Sequence, residues 1–287
     1  MKPDVYEEIT SHIIELLESV DVEDYKNPFK GLASGLPKNI ATSKHYSGVN
    51  TFALMLSRHK QRFTSDIWGT FLQWKSVGGS VMKGQTGTQI VKFNSRTVEN
   101  KETGEQEERI YCGRCFVFNL SQVEGYELPV CEDDDQASPF ERLESVDAFV
   151  TKTGATIIEA DGAFYRPSTD QIGMPADALF LETEQGAAEN YYATLLHELV
   201  HWTKAPHRLA RNHDDLEVNQ RYAAEELVAE LGSAFLCADF GIEMAGRLDH
   251  ARYIKSWLKA LKDDKKYISR ACKMAQTAVD FLHEQTK

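Results

Sequence analysis

The sequence predicts an α+β protein in two parts: an N-terminal α/β domain over residues 1–130, a linker at 131–139, and a mostly helical domain with a small β-sheet over 140–287. Three observations carry this reading. The 287 residues, 42% hydrophobic and 10% aromatic, are enough for two ordinary cores. Charge divides the chain: between Lys26 and Val98 eleven Lys and Arg face one acidic residue, Asp66, giving about +10, although the whole chain carries −12. The stretch from Cys131 to Pro139 is polar and acidic and ends in proline, as a linker would.

Taken in order, Val5, Ile9, Ile13, Leu16, Leu17 and Val20 fall at helical spacing, so residues 4–20 read as an amphipathic helix. Pro28, Gly31, Gly35 and Pro37 break regular structure, and residues 41–50 read as a loop feeding a helix from about Thr51. A second, aromatic helix is expected over Asp66–Ser76. Thr88–Phe93 and Ile110–Phe118 read as strands with a hairpin tip near Thr103-Gly104. After the linker come a helix at Arg142–Thr151 and short strands at Thr156–Glu159, Ala163–Arg166 and Asp170–Gly173. Helices are expected at Gln185–Lys204, Asn219–Phe240, Leu248–Leu261 and Lys265–His283. The small sheet should lie beside the Gln185–Lys204 helix, where an edge strand could pair with an extended peptide.

The strongest chemical signal is His197-Glu198-Leu199-Val200-His201, an H-E-x-x-H sequence. Residues four apart share a helix face, so two neutral imidazoles can grip one Zn²⁺ while the intervening carboxylate, which is not a ligand, acts as general base on a water whose pKa the ion lowers to roughly 7. Leu196, Leu199, Val200 and Thr203 form a mostly apolar stripe beside the histidines, and Pro206 ends the segment.

Two positions compete for a third ligand. His207 has the spacing of H-E-x-x-H-x-x-G-x-x-H enzymes, but Lys204 stands where that pattern turns on glycine. In the next helix Glu226 and Glu230 share a face. There Glu226 could bind the metal while Glu230 accepts a hydrogen bond from a ligand histidine, Glu225 is a fallback, and the small Ala229 would permit close approach.

The basic N-terminal stretch mixes lysines with aromatic residues. Unstacked bases of single strands stack on rings for about 1–3 kcal/mol each while ammonium groups track phosphates; core phenylalanines above a solvated lysine face would give the same composition. Cys112-Gly113-Arg114-Cys115 is a lone CxxC inside an expected strand, with no second pair at zinc-finger spacing. No apolar run is long enough to cross a bilayer, the first residues do not resemble a signal peptide, and five scattered cysteines fit a reducing compartment, so a cytoplasmic protein with no membrane partner is expected.

Residues 191–203, Arg208-Leu209, Tyr222-Ala223 and Glu225-Glu226-Leu227-Val228-Ala229-Glu230 resemble the zincin-like metallopeptidase domain of the ArdC family of antirestriction proteins. Pro37-Lys38-Asn39, residues 46–50, Trp68-Gly69-Thr70-Phe71-Leu72-Gln73 and residues 78–84 resemble that family's single-stranded-DNA-binding domain. The resemblance runs through both domains in order. The family often has glycine at the position of Lys204 and a small polar residue at that of His207, so it does not make His207 an inherited ligand.

What the resemblance implies is a mobile-element protein that coats incoming single-stranded DNA during conjugation and protects it from host restriction. Zn²⁺ would sit on His197, His201 and Glu226 with Glu198 as general base; the resemblance does not establish which protein, if any, is cut, and a host restriction-system component or another protein is a candidate substrate. A single strand would be held by Lys44, Tyr46, Asn50, Trp68, Gln73, Trp74 and Lys83. The alternative is an antirestriction protein that only binds DNA and keeps a structural or vestigial metal site.

Overall fold

The computed structural model describes residues 9–11, 13–15, 35–99, 106–126, 139–176, 186–214, 216–242, 264 and 266–287. The hairpin tip at Thr103-Gly104, the linker at 131–138 and the expected helix at Leu248–Leu261 lie outside them. Of the expected 4–20 helix, residues 9–11 and 13–15 are helical, and Ile9 and Ile13 are fully buried.

The fold is α+β. In the N-terminal half, β1 (Lys38–Asn39), α1 (Val49–Gln61), β2 (Ile67–Gly69), α2 (Phe71–Ser76), β3 (Ser80–Val81), β4 (Thr88–Glu99), β5 (Gln106–Asn119) and β6 (Val123–Glu124) follow one another. They build a four-stranded sheet in the order β1-β2-β5-β4 and a two-stranded β3-β6 ribbon. The long hairpin pairs Thr88 with Val117 through Glu99 with Gln106, extending both expected strands.

The helix expected over Asp66–Ser76 is a strand and a shorter helix. Trp68 and Gly69 pair with Asn119 and Phe118. The helix starts only at Phe71 because Thr70 caps it: its side chain accepts from the Gln73 backbone, and the Gln73 side chain accepts from the Thr70 backbone.

α1 is buried along most of its length, from Thr51 to Arg58. Leu54 packs with Trp68, Ile90 and Val117 in a small cluster. Phe52, Ala53, Met55 and Leu56 join the large cluster that continues through the C-terminal half. Cys112 packs against the large cluster and Cys115 against the small one. Residues three apart on a strand point to opposite faces, so this pair cannot act as a CxxC ligand set or disulfide.

The C-terminal half contains α3 (Pro139–Thr153), β7 (Thr156–Glu159), β8 (Phe164–Arg166), β9 (Gln171–Met174), α4 (Ala187–Trp202), α5 (Val218–Phe240) and α6 (Tyr267–Gln285). Its sheet runs β7-β9-β8, parallel between β7 and β9 and antiparallel between β9 and β8, which leaves β8 at an edge.

α4 carries the H-E-x-x-H motif and α5 the glutamates, so their separation sets the site. They pack tightly at Gly232, where an added Cβ would lie 2.9 Å from Val200 Cγ2. Ala229 is fully buried nearby, but Gly232 is the position with no room to spare. Gly232→Val should destabilise the fold by about 1–3 kcal/mol through overpacking and weaken divalent-metal binding by moving the two helices apart. Urea unfolding and metal titration check this; a variant unchanged in both would show that the helices tolerate a wider gap.

Candidate metal centre

Three donor atoms converge between α4 and α5. His197 Nε2 and His201 Nε2 are 3.1 Å apart. Glu226 lies across from them, with Oε2 3.7 Å from His197 Nε2 and Oε1 3.4 Å from His201 Nε2. These spacings match the edges of a tetrahedron whose centre is about 2.0–2.2 Å from each donor, the usual distance from zinc to imidazole and carboxylate. Two imidazole nitrogens facing each other so closely need a cation or a proton between them, so the donor set fits a divalent ion.

The far sides of both imidazoles meet carboxylates. His201 Nδ1 is 3.0 Å from Glu225 Oε1, and His197 Nδ1 is 3.3 Å from Glu230 Oε1. The first is a hydrogen bond, which fixes the His201 tautomer and turns its Nε2 toward the donor cluster; the second sets a carboxylate behind the His197 ring at ion-pair distance. Glu230 was expected from the sequence to stand behind a ligand histidine. Glu225, expected there as a fallback ligand, faces away from the donor cluster.

Glu225 also accepts two hydrogen bonds of 2.8 Å from the Arg211 guanidinium, and its Oε2 is 2.9 Å from His213 Nε2. Arg211 reaches back to the Val200 carbonyl and Thr203 hydroxyl, so this buried network ties α5 to the C-terminal end of α4. Arg211 and His213 carry no motif or periodicity, and sequence reasoning missed both.

Burial opposes ionisation of Glu225 and Glu226. Hydrogen bonds from Arg211, His201 and His213 to Glu225, and from both ligand-type histidines to Glu226, nevertheless hold them well below the usual carboxylate range. For His201 burial pushes the pKa down, but hydrogen bonds to Glu225 and Glu226 outweigh it and raise the ring to about 9.

His207 is elsewhere. Its side chain is 63% exposed, with Nε2 3.4 Å from Asp170 and 2.7 Å from Arg208. Arg208 lies 3.7 Å over the Trp202 ring, pairs with Asp170 and donates to the Tyr165 hydroxyl. That cluster anchors β8 to the end of α4.

A cavity of about 310 Å³ opens over the donors, lined by His197, Glu198, His201, Glu226, Tyr165 and Tyr222 among others. Glu198, only 5% exposed, therefore shares a cavity with the donor atoms. β8 borders the same cavity through Phe164 and Tyr165 with one strand edge unpaired among the described residues, which is where an extended peptide could add.

The residues expected to hold DNA divide into two groups. Lys44 and Lys83 are exposed. Trp68 and Trp74 are fully buried, Trp74 donating from Nε1 to the Phe118 carbonyl, so neither offers a face to a base. The Asn50 side chain both donates to and accepts from the Val91 backbone, joining α1 to β4. Gln73 bonds to Asn39 and caps α2, and the Tyr46 hydroxyl accepts from Asn39. Four of the seven expected contacts, Trp68, Trp74, Asn50 and Gln73, are thus occupied in holding the fold together.

Residues 3–119 match the family described as the N-terminal domain of anti-restriction factor ArdC, and residues 144–274 match a zincin-like metallopeptidase family. The chain is 38% identical to the y4eC protein of Sinorhizobium fredii over 98% of this chain and 92% of that one. Two Escherichia coli proteins named DNA primase TraC are 35% and 34% identical, but the chain spans only 27% and 17% of their lengths. Crystal structures of the antirestriction ArdC protein from plasmid R388 superpose with TM-scores of 0.80 for a metal-free form and 0.77 for an Mn(II)-bound form. They are 34% and 33% identical, and each comparison covers 99% of this chain and 98% of the other.

In the metal-free chain the proton on His201 contributes stability that is complete below about pH 6.5 and is lost as pH rises through about 9, whereas metal binding requires that proton to leave. From about pH 6 to about pH 9 the metal-free melting temperature should therefore fall, and the extra stability from added zinc should grow. Thermal unfolding with zinc or with chelator checks this; a metal-free melting temperature flat over that range would show that His201 carries no such proton.

Proposed function

Because this chain belongs to the ArdC family of antirestriction factors, we propose that it protects incoming plasmid DNA from host restriction in the cytoplasm by combining single-stranded-DNA binding with a zinc-dependent peptidase site. The observation that carries the peptidase part is the convergence of His197, His201 and Glu226 in one cavity with Glu198, bordered by an unpaired strand edge. No helix among the described residues is long and apolar enough to cross a membrane.

His197, His201 and Glu226 would hold the ion, with Glu225 and Glu230 fixing the two rings. A bound divalent ion supplies Lewis-acid polarisation of a peptide carbonyl and acidifies water. An extended peptide lies along β8, its backbone hydrogen-bonded to the open edge. Glu198 takes a proton from the attacking water and returns it to the leaving amine.

The DNA part rests on family membership and on the lysine-rich N-terminal half. Lys60, Lys75, Lys83 and Lys92 are exposed on or between its described elements. Affinity for a single strand should fall steeply with salt as counterions are released.

Glu198→Gln should lower peptide hydrolysis by about 10²–10⁴-fold without reducing metal content, and should reduce protection of conjugated DNA in a restricting recipient. Establishment frequency of an unmodified plasmid measures the second effect. Protection equal to wild type would instead support a protein that only binds, with the metal in a structural role.

A further inference from the structure

Resting on the single-stranded-DNA reading above, we propose that the bases stack on the outer face of the four-stranded sheet, at Phe116 and Phe71, and that Arg114, Lys75 and Lys83 hold the phosphates beside them.

The strand register defines that face. On β5, Val117 points into the core with Leu54 and Trp68, so Phe116, Phe118 and Arg114 point the other way. Gly69 lies opposite Phe118, and a Cβ added to it would sit 3.1 Å from Trp74 Nε1, which places α2 on this same outer side. Phe71 precedes Trp74 by one helical turn and shares its side of α2.

Gly87 carries no side chain here. A Cβ at that position would lie 3.1 Å from both Phe116 Cβ and Phe118 Cζ, so the aromatic rings form the floor of this part of the sheet. The loop holding Lys83 leads directly into Gly87 and is pinned by Gln122, which donates to Gln85 and to the Thr86 carbonyl.

Exposure then identifies the face as an interaction surface. Phe71 is 53% exposed and Phe116 48%, two of the five exposed large hydrophobic residues among those described. Apolar surface gathered on one face marks a partner site rather than scattered surface residues.

Charge selects the partner. A chain of net charge −12 repels a polyanion except at a local basic patch; exposed Arg114 lies on this face, and exposed Lys75 and Lys83 lie on α2 and on the loop before Gly87 that border it. Open π-faces beside cations are what a single strand uses, whereas a duplex keeps its bases stacked on one another. The same reasoning explains why buried Trp68 and Trp74 cannot serve.

The test measures fluorescence anisotropy of an oligothymidylate probe with the full chain. Phe71→Ala/Phe116→Ala should weaken binding about tenfold or more with the slope of log Kd against log salt unchanged, because stacking releases no counterions. Phe71→Tyr/Phe116→Tyr should bind like wild type, and Lys83→Glu should flatten the slope. In Phe71→Trp, DNA should quench the added emission, a readout that does not depend on the stability of the alanine variant.

Wild-type affinity in the double alanine variant, or no quenching of Phe71→Trp while DNA is bound, would overturn this surface and leave the DNA reading intact. Failure of the wild-type chain to bind the probe at low salt would remove the DNA reading itself. Loss of a dimer in the alanine variant with DNA affinity unchanged would assign the face to a second copy of the chain and overturn the proposal.

Discussion

The crossing of α4 and α5 is the constraint from which the site follows. It is held at one separation by the contact of Gly232 with Val200 and by the Arg211–Glu225 pair bridging the helices beyond His201. At that separation two imidazoles from one helix and a carboxylate from the other bring their ligand atoms within 4.8 Å of one another. A shift of even 1 Å would exceed the tolerance of metal–ligand distances, which vary by about 0.2 Å.

Electrostatics make the same crossing expensive without a cation. Glu198, Glu225 and Glu230 are each 5% exposed or less, and the Glu226 side chain is 13% exposed. Near these four carboxylates lie the Arg211 guanidinium, the imidazoles and Lys204, which lines the same cavity. Arg211 pairs with Glu225, and Glu226 and Glu198 line the cavity with the two histidines and Lys204. A divalent ion held by the two imidazoles and Glu226 would add positive charge among these buried carboxylates, and its binding would stabilise the folded chain by mass action. Stability and chemistry thus draw on one set of contacts.

Much of this centre was legible in the sequence because helical spacing converts directly into geometry. His197 and His201 four apart, and Glu226 and Glu230 four apart, could each be placed on one face of a helix; which acid lies across from the histidines needed the structure. The network behind them was not legible: Arg211 and His213 come from a loop bent by positive-φ residues at Ala210 and His213, and nothing periodic marks such a turn. His207 was set aside on the identity of Lys204, and its partnership with Asp170 and Arg208 gives the physical reason it stays away.

In the N-terminal half the two hairpin strands were readable, but β1 and β2, which complete the sheet, and the inward and outward aromatics were not. Trp68 and Phe116 are equally plausible stacking residues in a sequence; only pairing register shows that one points into the core and the other out. The start of α2 at Phe71 did have a signal, the Thr70–Gln73 capping pair, which a helix drawn from Asp66 overran.

The most direct measurement of the central claim is titration of zinc into the metal-stripped chain and into its Glu226→Gln and His207→Gln variants. One ion should bind per wild-type chain, Glu226→Gln should weaken it by more than the roughly 100-fold that loss of an outer partner can cost, and His207→Gln should leave it unchanged. Equal affinity in Glu226→Gln and wild type, or no stoichiometric binding at all, would contradict a centre formed by the two helices.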